Sequence, residues 1–212
     1  MILLLSILSA GLTAGLVWAA PQPAIAPSSW ELNFDYHDPQ RITLTLLGDD
    51  RPTTYWYTLY TITNETDREV GFYPTFHVVT DKLEVIECGY GINPAVYDAI
   101  RARHKKAFPF SFDPMKMYGP LNQGQDNART SIIVFSEFES QVNRFTLFVG
   151  GLSGEVVKVP NLTYDRHQPP SNRNPQFFFL RKTLAIEYDL PGDARTRLSA
   201  LPVRTRQEWV MR

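Results

Sequence analysis

The stretch TTYWYTLYTIT, residues Thr53–Thr63, decides the fold of this chain. Aromatic and β-branched residues fill nearly all of its positions, and such residues favour extended strands. A strand that faces water on one side alternates apolar and polar residues, whereas a strand buried on both faces is apolar almost throughout. The composition of this stretch therefore predicts a strand that is covered on both faces.

The segments around this stretch have apolar residues at every second position, which is the pattern of strands. In WELNFDY, residues 30–36, apolar and polar residues alternate strictly. Asn64-Glu65-Thr66-Asp67 has turn chemistry and is expected to be a hairpin connection to a returning strand at 70–78, where Pro74 indicates an edge or a bulge. Further strands are predicted at residues 42–46, 83–88, 130–136, 144–150, 155–159 and 177–188.

One helix is predicted to interrupt the strands. Asn93 is a favoured N-cap residue, and Pro94 suits the first helical position. Residues that share one face at helical spacing follow, namely Val96, Ala99, Ile100 and Arg103. Eight or nine short strands with one helix predict a mainly β protein, an antiparallel β-sandwich. Without an internal repeat or a long linker, residues 27–212 are expected to form a single domain.

The amino-terminal segment predicts export. The first 30 residues contain no Lys, Arg, Asp or Glu, and residues 2–17 are almost wholly apolar. This run has the length of a signal-peptide core and is short of the ~20 residues that span a bilayer. Residues 1–26 are therefore expected to be a signal peptide, with cleavage favoured after Ala19 because Pro27 disfavours a cut after Ala26. The protein would then lie in the periplasm or at the cell surface; an uncleaved membrane anchor is the alternative.

Composition and spacing argue against several classes of function. A formal net charge of −1 is not that of a nucleic-acid-binding protein. Cys88 is the only cysteine, and the two closest histidines, His77 and His104, are 27 positions apart, so no metal-binding spacing is present. In GLSGE, residues 151–155, the second glycine comes one position early for a serine-nucleophile motif, and a hairpin turn is predicted instead. We therefore expect no catalytic residues, no metal and no cofactor.

An apolar loop after the helix is the predicted partner-binding segment. Its apolar side chains are Phe108, Phe110, Phe112, Met115, Met117 and Tyr118. Either the loop packs its apolar side over an open end of the sandwich, or its side chains are exposed and mark a site for a protein partner or a second copy of the chain. The aromatic residues of Thr53–Thr63 also suggest carbohydrate binding, although rings in the middle of a strand usually build the core.

Several segments resemble a family of uncharacterised exported bacterial proteins. The similar segments are the predicted hairpin at residues 55–81, GPLNQGQDNA (119–128), FVGGLSGE (148–155), LRKTL (180–184), LPGD (190–193) and WVMR (209–212). The resemblance covers about residues 40–212 and implies an immunoglobulin-like sandwich, but no activity and no site residues. The expected function is a non-catalytic structural or protein-interaction module of the bacterial cell envelope. A module that binds polysaccharide is the alternative, and a hydrolytic enzyme comes third.

Overall fold

The computed structural model describes residues 20–212. The apolar run predicted as a signal peptide and the favoured cleavage point after Ala19 lie outside the described residues. Within the described part, no helix is both long and apolar enough to cross a membrane. The export of the protein and its location stay predictions.

The described chain is mainly β, with antiparallel sheets and one α-helix, as predicted. Three short 3₁₀ helices, Pro114–Met117, Gln125–Asn127 and Thr196–Ser199, lie in its loops. The helix α1 is Pro94–His104. The strands are β1 (Asn33–Tyr36), β2 (Gln40–Leu44), β3 (Thr53–Thr63), β4 (Val70–Phe72), β5 (Thr75–Thr80), β6 (Val85–Glu87), β7 (Gly119–Leu121), β8 (Arg129–Ser136), β9 (Arg144–Gly150), β10 (Val156–Pro160), β11 (Phe177–Asp189) and β12 (Val203–Met211).

Strand β3 is the centre of the first sheet. It pairs with β8 as well as with β1 and β2, and β1 and β2 pair with different parts of its length. Trp56 and Ile62 point into the core shared with the second sheet, whereas Tyr57 and Leu59 pack against α1. The prediction that this strand is covered on both faces is confirmed, since all four side chains are buried.

The second sheet has the order β6-β5-β9-β11-β12, with β10 also paired to β11. The hairpin predicted at residues 151–155 is wrong, because β9 and β10 pair with successive parts of β11 and not with each other. Gly151, at φ 84°, allows the local bend, and a Cβ there would lie 2.5 Å from the Tyr73 carbonyl oxygen. A side chain at this position would therefore push β9 away from the chain that precedes β5.

The hairpin predicted at residues 64–67 is also wrong. The turn itself forms, but the chain leaves the first sheet: β4 pairs with β7, and β5 pairs with β9 in the second sheet. Asn64 fixes this crossing from a fully buried position, where its Nδ2 donates to the carbonyl oxygens of Arg68 and Leu121, each at 2.8 Å. The crossing joins the two sheets of the sandwich. The immunoglobulin-like topology stays a prediction.

We expect Asn64→Ala to lower the free energy of unfolding by about 2 kcal/mol, because the buried Leu121 carbonyl group loses a donor. Asn161 offers a matched control. Both residues begin an Asn-X-Thr turn in which Oδ1 accepts the threonine N–H at 3.0 Å. Asn161 is only half-buried, so Asn161→Ala should cost less in urea denaturation. An equal loss in both variants would contradict the role given to the buried Asn64.

The helix forms as the sequence predicts. The Asn93 side chain accepts the Ala95 N–H at 3.0 Å, and Pro94 is the first helical residue. Val96 and Ile100 are fully buried against the outer side of the first sheet. Arg103 lies on the same face as predicted: it is exposed, but its Nη1 donates to the Tyr57 hydroxyl at 3.3 Å.

Candidate functional site

The structure separates the six residues of the predicted partner-binding loop into two groups. Met117 is fully buried in the core between the sheets. Phe108 is half-buried beneath α1, where its ring lies 5.4 Å from that of His37 and 6.4 Å from that of His104. These two residues stabilise the fold, and Met117 is not accessible to a partner.

The other four residues, Phe110, Phe112, Met115 and Tyr118, are exposed. Phe110 is 86% exposed, Met115 78% and Tyr118 52%. The chain is held in place beside them, because the Phe112 N–H donates to the Thr130 carbonyl oxygen at 2.7 Å. The Asp113 side chain then accepts the Met115 N–H at 2.9 Å and caps the short helix Pro114–Met117. The exposed side chains therefore project from a segment whose backbone is fixed.

A cavity of about 440 Å³ opens beside Met115 and Tyr118. It lies where the first sheet, the end of β6, the start of α1 and the short helix Pro114–Met117 meet. Its walls combine aromatic and sulfur-containing side chains: Tyr60, Phe76, Cys88, Tyr97, Met115 and Tyr118. We call this space the Met115 cavity. A mainly apolar recess of this size that carries a few polar groups is typical of a binding site.

The buried tyrosine and cysteine side chains of the Met115 cavity are uncharged at physiological pH. Burial raises the pKa of Tyr97 to about 12 and that of the Cys88 thiol to about 12. Burial also raises the pKa of Tyr60. The Cys88 side chain therefore stays a thiol rather than a nucleophilic thiolate. The charged residues at the cavity, Glu87, Arg101 and Asp113, have mixed signs.

The aromatic rings and hydroxyl groups of the Met115 cavity can pack against a ligand and form hydrogen bonds with it. Within residues 20–212, no three His, Cys, Asp or Glu side chains come close enough together to hold a metal ion. The predicted loop supplies Met115 and Tyr118, whereas Tyr90, Tyr97, Phe76 and Cys88 come from other elements that sequence reasoning did not connect with it. No local pattern could have found them, because they lie on separate strands, turns and the helix.

Comparison with known proteins yields no match to a family model, a curated protein or a solved structure. The resemblance to a family of exported bacterial proteins stays a prediction. The described fold and the Met115 cavity define the chain as a mainly β protein with an aromatic-lined recess.

Proposed function

We propose that this protein is an exported, non-catalytic module of the bacterial cell envelope that binds a protein partner. The Met115 cavity is the proposed contact site, and it receives an apolar side chain of that partner. The observation that carries the proposal is the exposure of Met115 and Tyr118 at the mouth of a mainly apolar cavity.

The residue types at the cavity support a protein partner. Methionine and aromatic residues are enriched in the centres of protein interfaces, where charged residues are depleted. Methionine is also flexible and polarizable, so Met115 can adapt to the side chain that enters. Tyr90, which is 82% exposed, adds a third large side chain at the same site. The neutral tyrosine hydroxyls of Tyr60 and Tyr97 supply hydrogen bonds without the desolvation cost of a charge.

Site-specific photo-cross-linking in the native cells tests this proposal. A photoreactive amino acid is placed at Met115, at Tyr118 or, as a control, at Leu162, which is 82% exposed on a different loop. We expect the same protein adduct from Met115 and Tyr118 and none from Leu162. An adduct of twice the mass of the chain would identify the partner as a second copy. No adduct at the two cavity positions, or an equal adduct at Leu162, would overturn the proposal.

We expect Met115→Glu to weaken binding to the partner found in this way by at least about tenfold, because the cavity mouth would have to desolvate a carboxylate. Since Met115 is exposed, the urea unfolding midpoint should not change. Lys116→Glu is the matched control, since Lys116 is an exposed neighbour outside the cavity lining. Equal binding losses for both variants would indicate a general charge effect and would contradict a specific role for the cavity.

A further inference from the structure

A second recess lies on the outer face of the second sheet, away from the core. It follows β5, β9 and β11, where Thr75 pairs with Gly150 and His77 pairs with Phe148. Its volume is about 540 Å³. The side chains that form its walls are Trp30, Tyr73, Thr75, His77, Phe148, Arg181, Thr183 and Arg212. We call this recess the outer groove.

Glycines bring the walls of the outer groove close together. A Cβ at Gly154 would collide with the indole nitrogen of Trp30, and a Cβ at Gly150 would collide with the Thr75 hydroxyl. On β11, Leu184 and Ile186 point into the core, so Arg181 and Thr183, at odd-numbered positions, point outward. The aromatic rings, hydroxyl groups and guanidinium groups therefore converge on one surface.

Two arginines lie directly opposite each other in this groove. Arg181 and Arg212 exchange both of their backbone hydrogen bonds, at 2.7 and 3.0 Å. The Arg212 guanidinium carbon lies 4.1 Å from the centroid of the Phe148 ring, which holds the charge over the groove. Like charges directly opposite on neighbouring strands are destabilising. Among the described residues, no carboxylate forms an ion pair with either guanidinium, and no Asp or Glu lines the groove.

We propose that the outer groove binds an acidic saccharide, a sugar whose ring carries a carboxylate. The planar carboxylate fits the guanidinium groups of Arg181 and Arg212, which donate paired hydrogen bonds to such an anion. The apolar face of the sugar ring packs against Tyr73, which is exposed, because the Arg212 guanidinium already covers the Phe148 ring. The hydroxyls of Thr75 and Thr183 and the imidazole of His77 bind the sugar hydroxyls. Glu87, the residue opposite His77 on β6, lies outside the lining, so the charged side chains that line the groove are those of Arg181 and Arg212.

This site is separate from the Met115 cavity, and the two share no lining residue. Loss of a protein partner and loss of saccharide binding are therefore independent results. Calorimetric titration tests the saccharide site on the protein as isolated from cells. The probes are trigalacturonate and its methyl ester, which has the same rings without the negative charges. We expect trigalacturonate to bind and the ester to bind at least about tenfold more weakly.

Variants of the two arginines make the test specific. Arg181→Gln and Arg212→Gln should each weaken trigalacturonate binding by about tenfold, whereas Arg195→Gln, at an exposed arginine outside the groove, should leave it unchanged. An unchanged unfolding midpoint shows that a variant is folded. We expect no change of the midpoint for Arg181→Gln, because Arg181 is exposed. No binding of trigalacturonate, equal binding of the ester, or full affinity in both groove variants would overturn the proposal.

Discussion

Replacement of Trp56 by alanine is expected to lower the free energy of unfolding by about 3–5 kcal/mol, which is the usual effect of removing a large buried ring. Trp56 is fully buried, and its ring lies 5.7–6.3 Å, centroid to centroid, from those of Phe135, Phe138 and Phe145. Alanine would leave a cavity between the two sheets that these rings cannot fill without moving both sheets. Equilibrium denaturation in guanidinium chloride measures the loss.

Two further variants test whether the loss of stability in Trp56→Ala comes from the missing buried ring. The Trp56 indole N–H also donates to Glu137 at 2.7 Å, so Trp56→Phe keeps most of the packing but removes this hydrogen bond. It should cost less than Trp56→Ala. Phe110→Ala removes an aromatic ring that is 86% exposed and should change stability little. A Trp56→Ala protein as stable as the Phe110→Ala protein would show that the sheets do not depend on this residue.

The second large effect is expected at Lys182, whose side chain is only 3% exposed. Its ammonium group forms an ion pair with Glu31 and lies 3.5 Å from Oε2 of Glu155. Replacement of Lys182 by methionine keeps much of the packing volume but leaves these carboxylates without their cation. Breaking a buried ion pair on one side typically costs about 3–5 kcal/mol. Lys116→Met, at an exposed lysine, is the control and should be nearly neutral.

The pH dependence of stability is a second test of the charged cluster of Lys182, Glu31 and Glu155. The pKa of Lys182 is raised overall. Burial alone would lower it, but the hydrogen bonds and negative charges of Glu31 and Glu155 have the larger effect, so the ammonium group is charged at neutral pH. A hydrogen bond from the Ala24 N–H, aided by Lys182, lowers the pKa of Glu155 below 4.5. A lowered carboxyl pKa stabilises the fold above pH 4.5, and this contribution disappears as the pH falls through the lowered value.

The stability difference between the natural protein and Lys182→Met should therefore be largest near neutral pH and should shrink as the pH falls below 4.5. Urea denaturation at a series of pH values measures it. A triple variant with Lys182→Met, Glu31→Gln and Glu155→Gln should recover part of the stability, because no uncompensated charge is left. A difference that does not vary with pH would show that packing, and not charge, sets the role of Lys182.

The strands that the sequence predicted well are those with a strong local pattern. Thr53–Thr63 and Arg144–Gly150 have the predicted bounds, because β-branched and aromatic residues mark the first and apolar residues at every second position mark the other. Strand β12 was not predicted. Its first residues, from Val203 to Gln207, are exposed and mostly polar, so no apolar periodicity reveals them. They are extended because β11 offers them a hydrogen-bonding partner.

The choice of strand partners needed the tertiary structure. Turn chemistry at Asn64–Thr66 is visible in the sequence, but whether the next strand returns to β3 or crosses to the other sheet depends on distant groups. The Leu121 carbonyl oxygen, 57 positions away, helps to hold Asn64 in the crossing. A local pattern carries no information about such a partner.

The sequence by itself determined the mainly β class, the double-sided burial of β3, the helix start at Asn93 and the apolar character of the loop after α1. These features depend on residues that are near one another along the chain. The tertiary structure decided that Met117 is in the core while Met115 is exposed, and it brought Arg181 beside Arg212. The physical reason is that burial and charge pairing depend on which elements meet in space, and these come from distant parts of the chain.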